Sequence, residues 1–284
     1  MSILDLKKLK AHTAQTYHLP PAKPLSSLSK ALSFVNQRGF VFFWPIKGID
    51  LPSLWTAVAG DRPVADKHDD PAHVTWGWKD NALPKRIWYY GKILRRKATM
   101  ISLEVVPYFY ALSGNYGSPE EDHLIAYEEG RLTLAAKNIY DALLKEGALD
   151  SISLRKAARM TSAKESEWNR ALEDLQMDFK ILPIGVAEAG AWKYAFIYQI
   201  SAYHYPDLPQ QARPISESQA RSKLLELYFD SLGTAQMKNV SKLFGWRQEL
   251  TSNAIGKLVA RGKLNTAVHP LQKGEWLALP ELCK

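Results

Sequence analysis

What most constrains this chain is a succession of patterns that occurs twice. In the last third, 216–233 (SESQARSKLLELYFDSLG) places Leu224, Leu225, Leu227, Tyr228 and Phe229 at helical intervals and stops at Gly233. A short helix is expected around 237–246 (MKNVSKLFGW). Another is expected over 247–264, with Leu250, Ala254, Ile255, Leu258 and Val259 on one face. After Gly262 the pattern changes to the strand-like pieces LNTAVHP and EWLALPEL, separated by LQKG. The same succession fills 134–201: LAAKNIYDALLKEGALD, SLRKAARM and SAKESEWNRALEDLQMDF predict helices, and ILPIGVAEAG with AWKYAFIYQIS predicts a hairpin turning at Gly190. Three helices followed by a two-stranded hairpin is the order of a winged helix, a helix-turn-helix variant.

A repeat of this kind predicts a mainly α fold with small β-hairpin wings (α+β), arranged as tandem winged-helix domains. The expected division is 1–118, 119–205 and 206–284, with the proline-containing HYPDLPQQARPISES as a linker before the last module. The first segment is less regular. Helices are expected over 25–39 and 51–60, followed by an irregular stretch from Asp61 to Lys85, which suggests a degenerate winged helix with an elaborated connection. Between the two helices, Phe40–Trp44 in GFVFFWPIKG reads first as a buried strand.

Charge is unevenly distributed. Residues 1–118 carry 16 basic and 8 acidic side chains, 119–205 carry 10 and 14, and 206–284 carry 11 and 7. Cationic ends around an acidic middle would attract a polyanion such as DNA or RNA through counterion release. The lone cysteine, Cys283, excludes an internal disulfide framework and a cysteine zinc site, and it suits a reducing cytoplasm. No apolar run reaches the roughly 20 residues of a membrane span, and the N-terminus lacks the pattern of a secretory signal, so a cytoplasmic location without membrane contact is expected.

Helix 3 of a winged helix enters the major groove. In the middle module that helix shows Glu165, Glu167, Glu173 and Asp174 against Lys164 and Arg170, which suits a scaffold and not a DNA reader. In the last module the corresponding side chains are Arg247, Gln248, Ser252, Asn253, Lys257 and Arg261, types that reach bases and phosphates, and Lys273 in the wing turn adds a cation. A third candidate surface is the basic stretch Lys85, Arg86, Lys92, Arg95, Arg96 and Lys97, interleaved with Trp88, Tyr89 and Tyr90. Cations for phosphates beside rings for bases suit a single-stranded or distorted duplex. The helical spacing of Ile87, Tyr90 and Leu94 suggests instead a helix whose rings face the core. His68 and His73 lie five apart near Asp69 and Asp70, but a helical metal pair wants a spacing of four and no third ligand stands out; no metal or other cofactor is expected. Neither a glycine-rich phosphate loop nor a nucleophile elbow is present.

Three such modules, with GFVFFWPIKGIDLPSLW after the first helix, resemble the AlkZ/YcaQ family of winged-helix DNA glycosylases. The stretch HVTWGWKDNALPKRIWYYGKILRRKATMISLE (73–104) is similar to its AlkZ-related subset. The resemblance implies modules that curve around DNA and present a Gln-apolar-Gln or Gln-apolar-Asp motif to an alkylated or crosslinked base. It also implies that many members extend beyond the point where this chain ends. The matching positions here are Phe42-Phe43-Trp44, so both polar positions are aromatic. A glycosylase stabilises an oxocarbenium-like sugar and positions a water, which needs a carboxylate or an amide. Any replacement acid would come from Asp50, Asp69, Asp70 or Glu104, and spacing selects none of them. Phe42 and Trp44 retain the capacity to stack on an extruded base or to wedge open a duplex. Three functions therefore compete: a DNA-binding protein without base excision, a repair glycosylase using another carboxylate, and a protein-interaction scaffold.

Overall fold

A computed structural model of the chain describes residues 2–67 and 69–284. Met1 and His68, the latter considered above as a metal ligand, lie outside the described residues. The fold is α+β, about 51% helical with small sheets. The chain starts with β1 (Ser2–Ile3) and α1 (Leu6–Thr16), whose first turn is capped by Asp5 accepting from the Lys7 and Lys8 amides. The first third continues with α2 (Leu28–Arg38), β2 (Phe40–Phe42), α3 (Leu54–Ala59), α4 (Val74–Ala82), β3 (Tyr89–Lys92) and β4 (Ala98–Ile101). Two short helices, α5 (Val106–Tyr110) and α6 (Pro119–Glu128), lead into the middle module.

That module runs α7 (Leu134–Glu146), β5 (Leu149–Asp150), α8 (Ser151–Ala157), α9 (Glu165–Met177), β6 (Ile181–Ala187) and β7 (Ala195–Ile200). After α10 (Ser201–His204) and α11 (Leu208–Ala212) comes the last module: α12 (Glu217–Leu232), β8 (Thr234–Ala235), α13 (Met237–Phe244), α14 (Gln248–Ala260), β9 (Asn265–Val268) and β10 (Glu275–Ala278). Each of these modules contains a short strand after its first helix that periodicity did not announce. Two residues are too few to alternate visibly, and only pairing makes them strands. The pairing is the same in both modules. The third strand lies between the other two, giving the orders β5-β7-β6 and β8-β10-β9, with β1 added parallel to β9. Along the chain, α2, β2, α3, α4, β3 and β4 repeat the same succession of element types.

Two sequence expectations change. The stretch from Asp61 to Lys85, expected to be irregular, contains α4. The linker before the last module contains α11, whose Leu208 and Ala212 are buried and which packs on α5. Its prolines stand in the first turn of that helix or beside it, where proline costs no hydrogen bond.

The chain forms two compact units, which cut across the three segments expected from sequence. One comprises 1–78, 100–105 and 217–284; the other comprises 79–99 and 106–216. In the first unit α12 buries Leu224, Leu225, Tyr228 and Phe229, and the phenyl of Phe244 packs edge-on to Tyr228 and Phe40. Gly39 ends α2 at φ +78, a conformation that favours glycine, and a Cβ there would lie 2.7 Å from Leu227 Cδ1, which would have to shift. In the second unit Ile139, Leu143, Leu154, Trp168, Leu175 and Ile200 belong to one buried cluster. Both cores come from apolar stripes that sequence periodicity had located. Among the described residues no helix is long and apolar enough to cross a membrane.

Candidate nucleic-acid interface

Phe40, Val41, Phe42 and Phe43 are core, as the apolar run suggested, and Phe42 is 0% exposed. The Phe42 amide donates to Pro52 O at 3.0 Å and the Trp55 amide donates to Phe43 O at 3.1 Å, which tethers this segment to the one entering α3. Phe42 therefore lines no cleft and offers no ring to a base. That corrects its candidacy as a wedge. Trp44, one residue beyond the buried run, is only half-buried. Its ring lies 5.3 Å from Trp55, 6.1 Å from Trp76 and 6.3 Å from His73.

Beside Trp44 is an open pocket of about 400 Å³, lined by Trp44, Val64, Ala65, Asp66, His73 and Trp76. The His73 ring nitrogen Nε2 lies 3.1 Å from Ala65 O; a carbonyl only accepts, so Nε2 carries the proton of that hydrogen bond. The pocket has aromatic walls and, among the described residues, one lining carboxylate, Asp66. None of the acids singled out from sequence lines it. Asp70 accepts from Arg62 Nη2 at 2.7 Å and from the Ala72 amide at 2.9 Å, and the guanidinium holds its carboxyl below the usual range. Asp50, Asp69 and Glu104 are exposed. Asp66 escaped sequence reasoning because one aspartate in a charged irregular stretch looks like any other until the chain folds it towards Trp44.

The basic stretch is a strand and a tight turn, not a helix: β3 ends at Lys92, and Arg95 and Arg96 both adopt positive φ, at +55 and +56. Trp88, Tyr89 and Tyr90 are buried. Tyr205 Oη donates to Trp88 O at 3.0 Å, and Tyr89 Oη shares a 3.0 Å hydrogen bond with Ser201 Oγ. These rings are structural and unavailable for stacking on bases, which removes the aromatic half of the proposed single-strand surface. Two of its cations are also engaged. Lys92 Nζ donates to Glu173 Oε1 at 2.6 Å, and Arg96 Nε donates to Asp174 Oδ1 at 2.8 Å. Lys85, Arg86, Arg95 and Lys97 remain exposed.

The same contacts revise the reading of α9. Two of its four carboxylates, Glu173 and Asp174, are counter-ions within the unit, and a third, Glu165, pairs with Arg155 at 2.5 Å. Their field is largely cancelled locally instead of repelling phosphate.

Helix α14 is arranged differently. Thr251, Ala254, Ile255 and Leu258 are buried, while Arg247, Gln248, Ser252, Asn253 and Lys257 are exposed. Lys257 Nζ donates to Ser218 Oγ at 2.5 Å. Among the described residues, the side chains of Arg247, Gln248, Ser252, Asn253 and Lys273 have no hydrogen-bond or ion-pair partner. Lys273 sits in the β9–β10 turn, where its backbone carbonyl accepts from Gln236 Nε2 at 3.0 Å and its side chain is exposed.

Repeated helix–strand–helix–helix–strand–strand modules, with a polar cationic third helix in one and an aromatic pocket in the first third, define an α+β protein of modular helical architecture. The family model described as AlkZ related matches residues 25–245, and the chain belongs to that family. Among solved structures, the DNA glycosylase AlkZ of Streptomyces sahachiroi has a similar fold, with a TM-score of 0.59 over 98% of this chain and 71% of that one. The two sequences are 14% identical, so the likeness is one of fold. No curated protein matches the chain by sequence.

Proposed function

We propose that this protein binds duplex DNA through its last module, read as a winged helix, and that it has the frame of a DNA glycosylase without the base-excision chemistry of one. The observation that carries the binding is the set Arg247, Gln248, Ser252 and Asn253 on α14, exposed and without partners among the described residues. Bidentate Arg, Gln and Asn contacts read base edges, and lysines such as Lys257 and Lys273 bind phosphates. Membership in the AlkZ-related family supports the same direction. Against excision stand the burial of Phe42 and the indole of Trp44, neither of which offers an oxygen to the sugar or to a water.

The test is a duplex titration at several salt concentrations. The logarithm of the affinity should fall linearly with the logarithm of salt, by about 0.9 units per phosphate contact. Affinity that stays flat, or no binding at low salt, overturns the reading.

One observation favours a second reading, excision by a different acid: Asp66 lines the pocket that Trp44 walls. A carboxylate there is able to stabilise a cationic sugar or activate a water. Incubation with alkylated or crosslinked duplex decides between them. The first reading expects no abasic sites even at high protein concentration. Abasic product that disappears in Asp66→Asn would establish the second.

A further inference from the structure

The pocket beside Trp44 has aromatic walls set at wide angles to one another. The Trp44 and Trp76 rings meet at 59° and Trp44 and His73 at 76°, and even the least inclined pair, His73 and Trp76, is 35° from parallel. Val64 and Ala65 add apolar surface, and Asp66 adds a negative charge. Asp66 is exposed and has no hydrogen-bond or ion-pair partner among the described residues, whereas nearby Asp70 is taken by Arg62. The walls are fixed from behind. Trp44 packs 5.3 Å from the fully buried Trp55, whose indole N–H donates to Arg62 O at 3.3 Å, and His73 donates to Ala65 O at 3.1 Å. Trp76, on α4, keeps 43% of its surface in solvent, so this side of the pocket is open to a ligand.

A flat partner stacks on a parallel face, and rings inclined at 59° and 76° form no slot for one. Convergent rings suit a compact, rounded group instead. An onium head is such a group, because the face of an indole attracts a cation within about 6 Å of the ring centre. The Trp44 and Trp76 centres are 6.1 Å apart, so one cation between them is within reach of both. The cluster already attracts a cation at its back, where the Arg62 guanidinium carbon stands 5.0 Å over the Trp55 ring. At about 400 Å³ the pocket has the size of a small-ligand site.

We infer that this pocket is an aromatic cage for a trimethylammonium head, with the charge between Trp44 and Trp76 and the Asp66 carboxylate at the rim. The methyl groups meet Val64 and Ala65, and the carboxylate balances a charge that has no N–H to donate. An unmethylated ammonium is strongly hydrated through its three donors, so methylation favours entry into aromatic walls. The inference stands on the pocket alone and does not depend on DNA binding through α14. It competes with excision by Asp66, which needs the same carboxylate.

The experiment titrates choline into the full chain and follows its N-methyl proton resonance, which ring currents move upfield inside an aromatic cage. The control is 3,3-dimethylbutanol, the same shape without the charge, which should bind about tenfold more weakly or not at all. Trp76→Ala should melt at the wild-type temperature and weaken choline binding about tenfold, and Trp76→Phe should recover part of it. Asp66→Asn should weaken binding about threefold and keep the upfield shift. A peptide carrying a trimethylated lysine separates the sources: tighter binding than choline assigns the head to a modified protein, and weaker binding assigns it to a free small molecule. Equal binding of the neutral analogue, choline binding unchanged in Trp76→Ala, or no binding of either onium overturns the cage. Tighter binding of N7-methylguanosine, a flat cation, would make the pocket a base site and overturn the cage in favour of the excision reading. None of these outcomes bears on duplex binding through α14, so the two readings fail separately.

Discussion

Helices α9 and α14 are the third helices of two modules with the same element order and the same strand order, yet their exposed faces are opposite in character. On α9 the charges are largely answered from within the unit: Glu173 by Lys92, Asp174 by Arg96, and Glu165 by Arg155. On α14, Arg247, Gln248, Ser252 and Asn253 face solvent without partners among the described residues. One framework thus supports a helix whose charges are answered within its own unit and another whose polar side chains face solvent. A shared fold assigns neither role; the pairing of side chains does.

The strongest way to break this contrast is to reverse the open face. Arg247→Glu with Lys257→Glu should lower duplex affinity by about two to three orders of magnitude at low salt and flatten the salt slope by about two units. Melting should be unchanged. Equal loss of affinity on reversing exposed charges of α9 instead would show that the contrast has no functional content.

Acid should separate the modules next. His204, in the helix that follows β7, is buried, its Nε2 has no hydrogen-bond partner among the described residues, and burial with the Arg86 charge pushes its pKa from 6.5 down to about 4. Below pH 6.5 the unfolded chain takes up a proton at this residue that the folded chain refuses. The contribution to stability is therefore full above pH 6.5 and lost as pH falls through the window to about 4, by up to about 3 kcal/mol. His204→Phe should flatten melting temperature against pH in that window; an unchanged profile would assign the acid sensitivity elsewhere.

A smaller effect is expected at Lys79, whose ammonium is enclosed by Tyr90, Tyr194 and Phe196 and paired with Asp80 at 2.9 Å. Lys79→Met keeps the volume but removes the charge from the base of the β6–β7 hairpin. It should cost about 2 kcal/mol in denaturant melts, because Asp80 retains some solvent. The smallest effect belongs to α9. Glu173→Gln with Asp174→Asn should change stability by less than about 1 kcal/mol, since both pairs are partly solvated. It should nonetheless raise duplex affinity a few-fold by releasing Lys92 and Arg96. A fall in affinity would mean that those cations act only when held in place.

Much of the architecture was readable in advance. The helices of both later modules announced themselves because their apolar stripes recur at helical spacing and end at glycines such as Gly147 and Gly233. The stretch from Ile87 to Leu94 misled, because Ile87, Tyr90 and Leu94 happen to fall at helical intervals in a segment that includes a buried strand. Part of the candidate site was legible too. Arg247, Gln248, Ser252, Asn253 and Lys257 fell on the exposed side of a helix whose buried side was plain. The apolar run from Phe40 to Phe43 was correctly read as core. Where that core ends and the pocket begins, between Phe43 and Trp44, and that Asp66 joins it, were not legible.

By itself the sequence determined the long helices of the two later modules and the hairpin that closes each, which follow from local periodicity and capping. Only the tertiary structure decided which charges are answered and which rings are free. Lys92 meets Glu173 across 81 positions of chain, and Arg96 meets Asp174 across 78. Coulomb energy and burial depend on distance in space, and no local pattern encodes which distant carboxylate a lysine will find.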